Sequence, residues 1–327
     1  MRTFTLKTTP ASTALFFKGR DGDPRLGEWA ESIAIDNVHG SKQPTFALIG
    51  APDDTGVLLN RGRPGAKSGP DAVRAAFYKI AWPVSKNLEK HRWLDAGNIH
   101  VSDQILTTHE RAFNAAATLS SAGATVIAIG GGHDFAAPHI MGTFSGLKTA
   151  KGLKRFGIIN IDPHLDVREF ENKLPHSGTP FRQILESGAV KGTHLVQFGA
   201  REGRNARAHF DYCKKEKVAV HEFAKIRGKG DAIKQFKLLL ANLAKKSDAV
   251  ALTIDMDCCE GIEGVSAAPV IGFSAWELCQ FARLAGANKK ITMLELAEIA
   301  PDLDPTGRAA RIGAEILFHF VLGRIGV

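Results

Sequence analysis

Cysteine is scarce in this 327-residue sequence. Only four cysteines are present, and no two of them have the Cys-x-x-Cys spacing of a redox motif or a metal ribbon. They stand at Cys213, Cys258, Cys259 and Cys279. This arrangement excludes a disulfide framework and favours a reducing compartment.

Long apolar segments are also missing. No run of 18 apolar residues occurs, so the sequence predicts no transmembrane helix and no membrane partner. The first 20 residues, MRTFTLKTTPASTALFFKGR, lack the apolar core of a signal peptide. We therefore expect a cytoplasmic protein.

The charge is positive but not concentrated. There are 42 Lys and Arg residues against 34 Asp and Glu, a formal net charge of +8. Short pairs such as Lys214-Lys215 and Lys245-Lys246 are typical of solvated helix faces. Since no RRM or zinc-finger motif accompanies them, we expect no nucleic-acid partner. The sequence leaves open whether the chain forms a homo-oligomer.

Apolar segments alternate with helical patterns along most of the chain. Predicted strands cover 45–51, 125–131, 156–162, 195–200, 218–223, 249–255 and 291–296, and predicted helices cover 71–82, 103–122, 205–216, 230–246, 274–286 and 306–322. Strands that are apolar on both faces and separated by helices indicate a parallel sheet covered on both sides. Residues 1–40 are polar and irregular. We interpret them as an N-terminal extension, partly ordered on the surface, before a single domain over 41–327.

Side chains that bind metals follow three of the predicted strands. The segments are GGGHD (130–134), NIDPHLDVR (160–168) and TIDMDC (253–258). Alternate residues of an extended chain point to the same face. We therefore expect Asp162, His164 and Asp166 to converge at one strand end, and Asp255 and Asp257 to converge at another, with His133 beyond a third.

Four aspartates at one edge of a sheet would repel one another unless a cation lies between them. Four carboxylates and two imidazoles are hard donors that suit Mn²⁺ better than a structural Zn²⁺. Taken alone, His133 would be read as a turn residue and Asp255-x-Asp257 as a loop. Their coincidence with Asp-x-His-x-Asp at three strand ends favours a pair of divalent cations that activates water.

The order of these motifs resembles that of the ureohydrolase family, which includes arginases, agmatinases and formimidoylglutamases. GGGHD is similar to the family's Gly-Gly-x-His motif, DPHLD to its Asp-Ala-His-x-Asp and IDMD to its Asp-x-Asp. The segment EIAPDLDPTGRAARIGAEIL (298–317) is similar to its C-terminal segment. The resemblance extends from about residue 45 to the end of the chain.

This resemblance implies an arginase-like, three-layer α/β/α fold with a parallel sheet of about eight strands. It also implies two Mn²⁺ ions per chain, held by His133, Asp162, His164, Asp166, Asp255 and Asp257. By the same resemblance Asp162 and Asp255 would bridge the ions. Asp166 would carry the proton to the departing nitrogen, and Glu298 would contact the amidine or guanidine nitrogens of the substrate.

Within the family, the sequence is most similar to formimidoylglutamases. The similar segments are SGTPFRQIL (177–185), GVSAAP (264–269) and NRGRPGAKSGPDAVR (60–74). Arginases keep a histidine where this chain has Ser177, one residue after His176, and an aspartate where it has Arg204. Both departures argue against an arginase.

The resemblance implies a small acidic amidine as substrate, namely N-formimidoyl-L-glutamate, whose hydrolysis to L-glutamate and formamide is a step of histidine degradation. We expect Arg182, Arg204, Arg63 and Ser177 to contact it, since arginine binds carboxylates with two parallel hydrogen bonds. Two alternatives remain open. One is another ureohydrolase acting on a guanidino acid, agmatine or arginine, and the other is a metal-binding homologue without catalysis.

Two adjacent cysteines, Cys258 and Cys259, follow the predicted ligand Asp257. We expect reduced thiols that fill space and do not ligate metal. The alternative is a redox latch, because a disulfide between neighbouring residues is strained and therefore labile.

Overall fold

The strands form one sheet in the computed structural model, which describes residues 8–327. Within that range the ten strands are β1 (Thr8–Thr9), β2 (Ala30–Ser32), β3 (Thr45–Gly50), β4 (Arg92–Ile99), β5 (Thr125–Ile129), β6 (Phe156–Ile161), β7 (Leu195–Ala200), β8 (Ala219–Glu222), β9 (Ala249–Asp255) and β10 (Ile291–Ala297). Their order in the sheet is β1-β4-β3-β5-β10-β9-β6-β7-β8, and β2 also pairs with β4.

Eight of these strands, β3 to β10, make only parallel pairs with one another. The two short strands β1 and β2 both pair with β4, the first antiparallel and the second parallel. The predicted parallel sheet of about eight strands is therefore confirmed.

Helices cover both faces of the sheet. They are α1 (Leu26–Trp29), α2 (Thr55–Leu59), α3 (Gly69–Phe77), α4 (Ile105–Ser121), α5 (Ala136–Lys151), α6 (Pro180–Glu186), α7 (Arg207–Lys215), α8 (Phe223–Gly228), α9 (Ala232–Lys246), α10 (Ala275–Ala287) and α11 (Arg308–Ile325). The buried side chains of α3, α9, α10 and α11 share one apolar core, and those of α4, α5, α6 and α7 share the other.

Successive residues of the central strands enter opposite cores. In β3, Phe46 and Leu48 pack on the side of α3 and α11, whereas Ala47 and Ile49 pack on the side of α4 and α5. A strand has a side-chain period of two, so a strand buried on both faces must be apolar at every position. The predicted three-layer α/β/α architecture is confirmed.

The long strand β4 and the long helix α5 were absent from the predicted elements, as were the short strands β1 and β2. β4 contains Asp95, which interrupts its apolar pattern, yet this carboxylate is fully buried. It accepts hydrogen bonds from Arg74 Nε at 2.9 Å and Tyr78 Oη at 2.5 Å, and this pairing makes its burial possible. The helix α5 contains Pro138 and Gly142, which mask its pattern; Pro138 lies in the first turn, where it is tolerated.

The predicted N-terminal extension over residues 1–40 begins with residues 1–7, which lie outside the described residues. Further along it, Leu26 joins one apolar core and Ile35 and Val38 join the other. We therefore propose that residues 8–40 belong to the same domain as residues 41–327. Among the described residues, no helix combines the length and the apolar character needed to cross a bilayer.

Candidate metal centre

The candidate ligands lie at the carboxyl ends of four neighbouring strands in the middle of the sheet. These strands are β5, β10, β9 and β6, in that order. His133 follows β5, Asp162 follows β6, Asp255 ends β9 and Glu298 follows β10. Parallel strands present their carboxyl ends at one edge, which is where ligands bind in this class of sheet.

Glycines after β5 allow His133 to reach this edge. A Cβ on Gly131 would lie 1.8 Å from the carbonyl oxygen of Asp53, so only glycine fits there. The backbone then turns into the short 3-10 segment His133–Phe135. The backbone N–H of His133 donates to Glu298 Oε1 at 3.0 Å, which joins the ends of β5 and β10.

Four of the six predicted ligands form one buried cluster. His133 Nδ1 lies 2.9 Å from Asp166 Oδ2, 3.1 Å from Asp162 Oδ2 and 3.2 Å from Asp255 Oδ2. One ligand atom from each of the four residues lies within 4.8 Å of all the others. His133 Nε2 faces Thr253 Oγ1 at 3.1 Å, and this contact leaves Nδ1 as the ring atom available to the cluster.

The other two predicted ligands adjoin this cluster. His164 Nδ1 lies 3.4 Å from Asp162 Oδ1 and 3.6 Å from Asp257 Oδ2. Asp257 is 4% exposed, and its Oδ1 is buried without a hydrogen-bond partner among residues 8–327. The structure thus brings all six residues together, although their role as ligands remains a proposal.

The convergence has a different local cause from the one we predicted. β6 ends at Ile161, and Asp166 has a φ of 46°, so residues 162–166 are not an extended chain. Instead, Asp162 Oδ1 accepts from the backbone N–H of His164 at 2.6 Å, and Asp255 Oδ1 accepts from that of Asp257 at 2.7 Å. Each aspartate therefore turns the chain so that the second residue after it comes alongside.

Four carboxyl groups of the site have raised pKa values because they are buried close to other carboxylates. Burial and the neighbouring Asp255 raise the pKa of Asp257 to about 8. Burial, together with Asp162, raises the pKa of both Asp166 and Asp255 to about 6. Burial raises the pKa of Glu298 well above its usual value, and Asp255 and Asp257 add to the shift. A divalent cation bound among these oxygens would offset the repulsion between the ionised carboxylates, and carboxylate oxygens are hard donors that suit such a cation.

A cavity of about 360 Å³ opens over these side chains. Its floor contains His164, Asp166, Asp255, Asp257 and Glu298. Its other walls include three arginines, which are Arg61, Arg63 and Arg168, and the polar residues Asn60 and Ser177. The acidic residues of this lining are buried, whereas its three arginines are exposed, and we call these two parts the floor and the rim.

The three arginines differ in their existing contacts. Arg63 donates to the carbonyl oxygens of Val265 and Ser266 at 2.8 and 2.9 Å, so its guanidinium is already occupied. Arg61 Nη2 lies 3.1 Å from a carboxylate oxygen of Glu171. The guanidinium of Arg168 has no hydrogen-bond acceptor within the described part of the chain, and the residue is exposed.

Two of the four predicted substrate contacts line the cavity, and two do not. Arg63 and Ser177 are in its walls, and Ser177 Oγ accepts from Asn60 Nδ2 at 3.0 Å. Arg182 is outside the lining, where it donates to Val167 O at 2.9 Å and stacks 4.1 Å from the ring centre of Tyr212. Arg204 is also outside the lining. The cavity lining therefore supports the contacts predicted for Arg63 and Ser177 and gives no support to those predicted for Arg182 and Arg204.

The histidine beside Ser177 is held by the backbone. The N–H of Gly178 donates to His176 Nδ1 at 3.2 Å, so Nε2 carries the hydrogen that faces Glu169 O at 3.2 Å. Burial lowers the pKa of His176, which favours the neutral ring. Both ring nitrogens are thus committed to structural contacts, and neither faces a group of the metal cluster.

Comparison with known proteins identifies the family. A sequence profile of the arginase family matches residues 44–323. This chain belongs to the arginase family. It is 35% identical over 306 residues to the formimidoylglutamase of Rhodococcus opacus strain B4, covering 88% of each chain. It is 33% identical over 312 residues to the formimidoylglutamase of Rhodococcus jostii strain RHA1, covering 90% of this chain and 91% of that one.

Solved members of the family have the same fold. The formimidoylglutamase of Bacillus subtilis superposes with a TM-score of 0.81 at 26% identity, covering 94% of each chain. The N114H variant of Trypanosoma cruzi formiminoglutamase, whose structure contains a Mn²⁺ pair, superposes with a TM-score of 0.79 at 29% identity. It covers 93% of this chain and 99% of that one.

Several residues of the site were missed by sequence reasoning. Asn60 and Arg61 lie three and two residues before the predicted Arg63, and Arg168 ends the quoted segment NIDPHLDVR. Proximity to the ligand motifs was therefore a usable signal for all three. Thr253 opens the quoted segment TIDMDC, and as the second residue before Asp255 it shares a face of the strand with it.

The adjacent cysteines match the expectation of reduced, space-filling residues. All four cysteines are free and buried, and the four-residue metal cluster contains none of them. Burial raises the pKa of Cys258 well above its usual value and that of Cys259 to about 11. Since the thiolate is the reactive form, burial argues against a redox latch.

Proposed function

We propose that this protein is a binuclear manganese hydrolase that converts N-formimidoyl-L-glutamate and water to L-glutamate and formamide. The main observation in support of this proposal is a cavity with a buried acidic floor and a basic rim. A formimidoylglutamate molecule has the opposite arrangement, a cationic amidine at one end and two carboxylates at the other.

The residues present fit a pair of Mn²⁺ ions. The six candidate ligands offer carboxylate oxygens and imidazole nitrogens, and one of these oxygens, Asp257 Oδ1, is buried without a hydrogen-bond partner among residues 8–327. The proposed ligands are His133 and Asp166 for one ion, His164 and Asp257 for the other, and Asp162 and Asp255 for both. A bound pair of divalent cations acidifies water and stabilises negative charge developing beside it.

Two acidic side chains have proposed roles toward the reacting group. Glu298 lines the cavity, and its Oε2 is buried without a partner among residues 8–327, so it can accept a hydrogen bond from an amidine N–H. Its other oxygen accepts from the backbone of His133, which holds the carboxylate in place. Asp166 also lines the cavity, and we assign it the transfer of a proton to the departing amine nitrogen.

The rim supplies the cations for the two substrate carboxylates. Within residues 8–327, Arg168 is the cavity arginine whose guanidinium has no hydrogen-bond acceptor, and the one ion pair of Arg61 is an exposed pair with Glu171. An exposed ion pair contributes about 0–1 kcal/mol, so a substrate carboxylate can replace Glu171. We therefore propose Arg168 and Arg61 as the carboxylate-binding residues, with Ser177 beside them and Arg63 shaping the wall.

The test is a substrate comparison with the Mn²⁺-loaded protein. Release of glutamate from N-formimidoyl-L-glutamate is measured beside hydrolysis of arginine, agmatine and an acidic guanidino acid. We expect the highest kcat/KM for formimidoylglutamate and none for agmatine, whose free ammonium end would face the basic rim. Preferred hydrolysis of a guanidino compound would contradict the substrate, and bound Mn²⁺ without any turnover would contradict catalysis.

The cellular setting follows from this activity. We propose a cytoplasmic enzyme of histidine degradation that acts on a small molecule and has no nucleic-acid or membrane partner. The free, buried cysteines support a reducing compartment. Oligomeric state is left to a sedimentation measurement on the same sample.

A further inference from the structure

Two buried amide side chains lie directly beneath the proposed metal centre. Asn160 on β6 and Gln197 on β7 are register partners in the sheet and are 0% and 1% exposed. Asn160 Nδ2 donates to Gln197 Oε1 at 2.8 Å. The amides face each other between strands whose other residues are almost all apolar.

The two ends of this amide pair reach two different parts of the site. Asn160 Nδ2 also donates to Asp162 Oδ2 at 3.3 Å, and Gln197 Nε2 donates to the carbonyl oxygen of Leu165 at 2.9 Å. The Asp162 carboxylate and the Leu165 carbonyl can only accept hydrogen bonds. Each amide must therefore point its NH₂ group toward its acceptor, which determines which amide atom is nitrogen and which is oxygen. One hydrogen-bonded chain thus connects the carboxylate of Asp162 to the backbone just before Asp166.

The position of that backbone contact is informative. Asp166 has a φ of 46°, a left-handed conformation that persists in a residue other than glycine only where its surroundings enforce it. Gln197 holds the peptide group immediately before it. The same amide pair therefore orients one candidate ligand by its side chain and another by its backbone.

Burying two amide side chains in a sheet core costs free energy unless their polar atoms form hydrogen bonds. Asn160 Oδ1 is buried and has no hydrogen-bond partner within residues 8–327, so the pair is not fully satisfied. An apolar pair of equal volume would pack there without this cost. The hydrogen bonds to Asp162 and Leu165 are what the apolar pair could not provide.

We propose that Asn160 and Gln197 are positioning residues of the metal centre, which set the orientation of the Asp162 carboxylate and of the loop that carries Asp166. This inference rests on the proposed manganese centre, and it concerns residues that touch neither substrate nor metal. Partners that orient metal ligands typically contribute about 10–100-fold to metal affinity.

The test replaces both amides at once. Asn160→Leu/Gln197→Met removes the two partners together and leaves apolar groups of similar volume, a change that is nearly neutral for stability. We expect this double variant to fold, with a melting temperature in EDTA near that of the wild type. We expect its Mn²⁺ affinity, measured by calorimetric titration, to fall by about 10–100-fold, and the EPR signal of coupled Mn²⁺ pairs to weaken in favour of isolated ions.

Single variants and a remote control complete the experiment. Because the amides act as a unit, Asn160→Leu and Gln197→Met should each lose most of what the double variant loses, so the effects are not additive. Thr143→Val in α5 removes a buried hydroxyl that donates to Met293 Sδ on β10, away from the cluster, and should leave Mn²⁺ affinity unchanged.

The outcomes separate this inference from the proposed function. Wild-type Mn²⁺ affinity and an unchanged EPR signal in the folded double variant would overturn the positioning role while the metal centre stands. A wild-type protein that binds no Mn²⁺ would overturn both. An equal loss of affinity in Thr143→Val would show a general effect of core polarity, and it would also overturn the positioning role.

Discussion

The floor and the rim of the cavity are built in different ways. Asp255 in the floor and Asp162 beside it in the metal cluster are 2% and 1% exposed, and each is tied to the backbone at the end of a central strand. In the rim, Arg61 has a side chain that is 84% exposed, and Arg168 is likewise exposed on a loop. The floor belongs to the sheet, whereas the rim belongs to the loops above it.

This difference sets the size of the effects to be expected. Charges in a buried cluster interact through a low dielectric, and removal of one partner leaves the others uncompensated. Charges on an exposed rim are screened by water and salt. Substitutions in the floor should therefore be close to all-or-none, and substitutions in the rim should be graded.

The largest effect is expected for Asp162→Ala and Asp255→Ala. Each change removes a carboxylate proposed to serve both ions, so activity should be abolished and bound Mn²⁺ should fall below two per chain. Metal content by atomic absorption and turnover with formimidoylglutamate are the measurements. If either variant retains two ions and normal turnover, the ligand assignment is wrong.

A smaller loss is expected for Glu298→Gln. The amide keeps an acceptor for the His133 N–H but loses the charge that pairs with the substrate amidine. A hydrogen bond to a charged group contributes about 1.5–3 kcal/mol, so kcat/KM should fall by about 10–100-fold while two Mn²⁺ ions stay bound. Unchanged kcat/KM would remove Glu298 from the reacting end of the cavity.

The rim should respond in a graded, salt-dependent way. Arg168→Gln and Arg61→Gln should each raise KM for formimidoylglutamate by about fivefold, since an exposed charge pair contributes up to about 1 kcal/mol. The increase should shrink at high salt, and kcat and Mn²⁺ content should be unchanged.

Two arginines outside the cavity sharpen this test. Arg182→Gln and Arg204→Gln remove the same charge from positions that do not line the cavity. Their KM for formimidoylglutamate should change less than that of Arg168→Gln. A larger change in either one would restore the contacts first predicted for them and contradict the rim described here.

The smallest effect is expected for the cysteines below the floor. Cys258→Ser and Cys259→Ser should leave kcat and KM nearly unchanged, and brief exposure to diamide should not inactivate the wild type, because both thiols are buried and protonated. If diamide inactivates the wild type but not the serine variants, the alternative hypothesis of a redox latch is supported.

Much of the floor could be predicted from sequence because its causes are local. An apolar segment followed at once by Asp or His places that side chain at the carboxyl end of a buried strand, as at Asp162 and Asp255. The family resemblance then predicted that the six residues share one metal site, and the structure brings these residues together. The three-layer fold followed in the same way, from strands that are apolar at every position.

Only the tertiary structure decided the rim, the strand β4 and the amide pair. The direction of a loop side chain such as Arg168 or Arg182 depends on contacts with distant residues, which no local pattern encodes. Asp95 could be buried in β4 only because Arg74 and Tyr78 meet it. Asn160 and Gln197 meet only because β6 and β7 pair in one register, so their hydrogen-bonded chain exists only in the folded sheet.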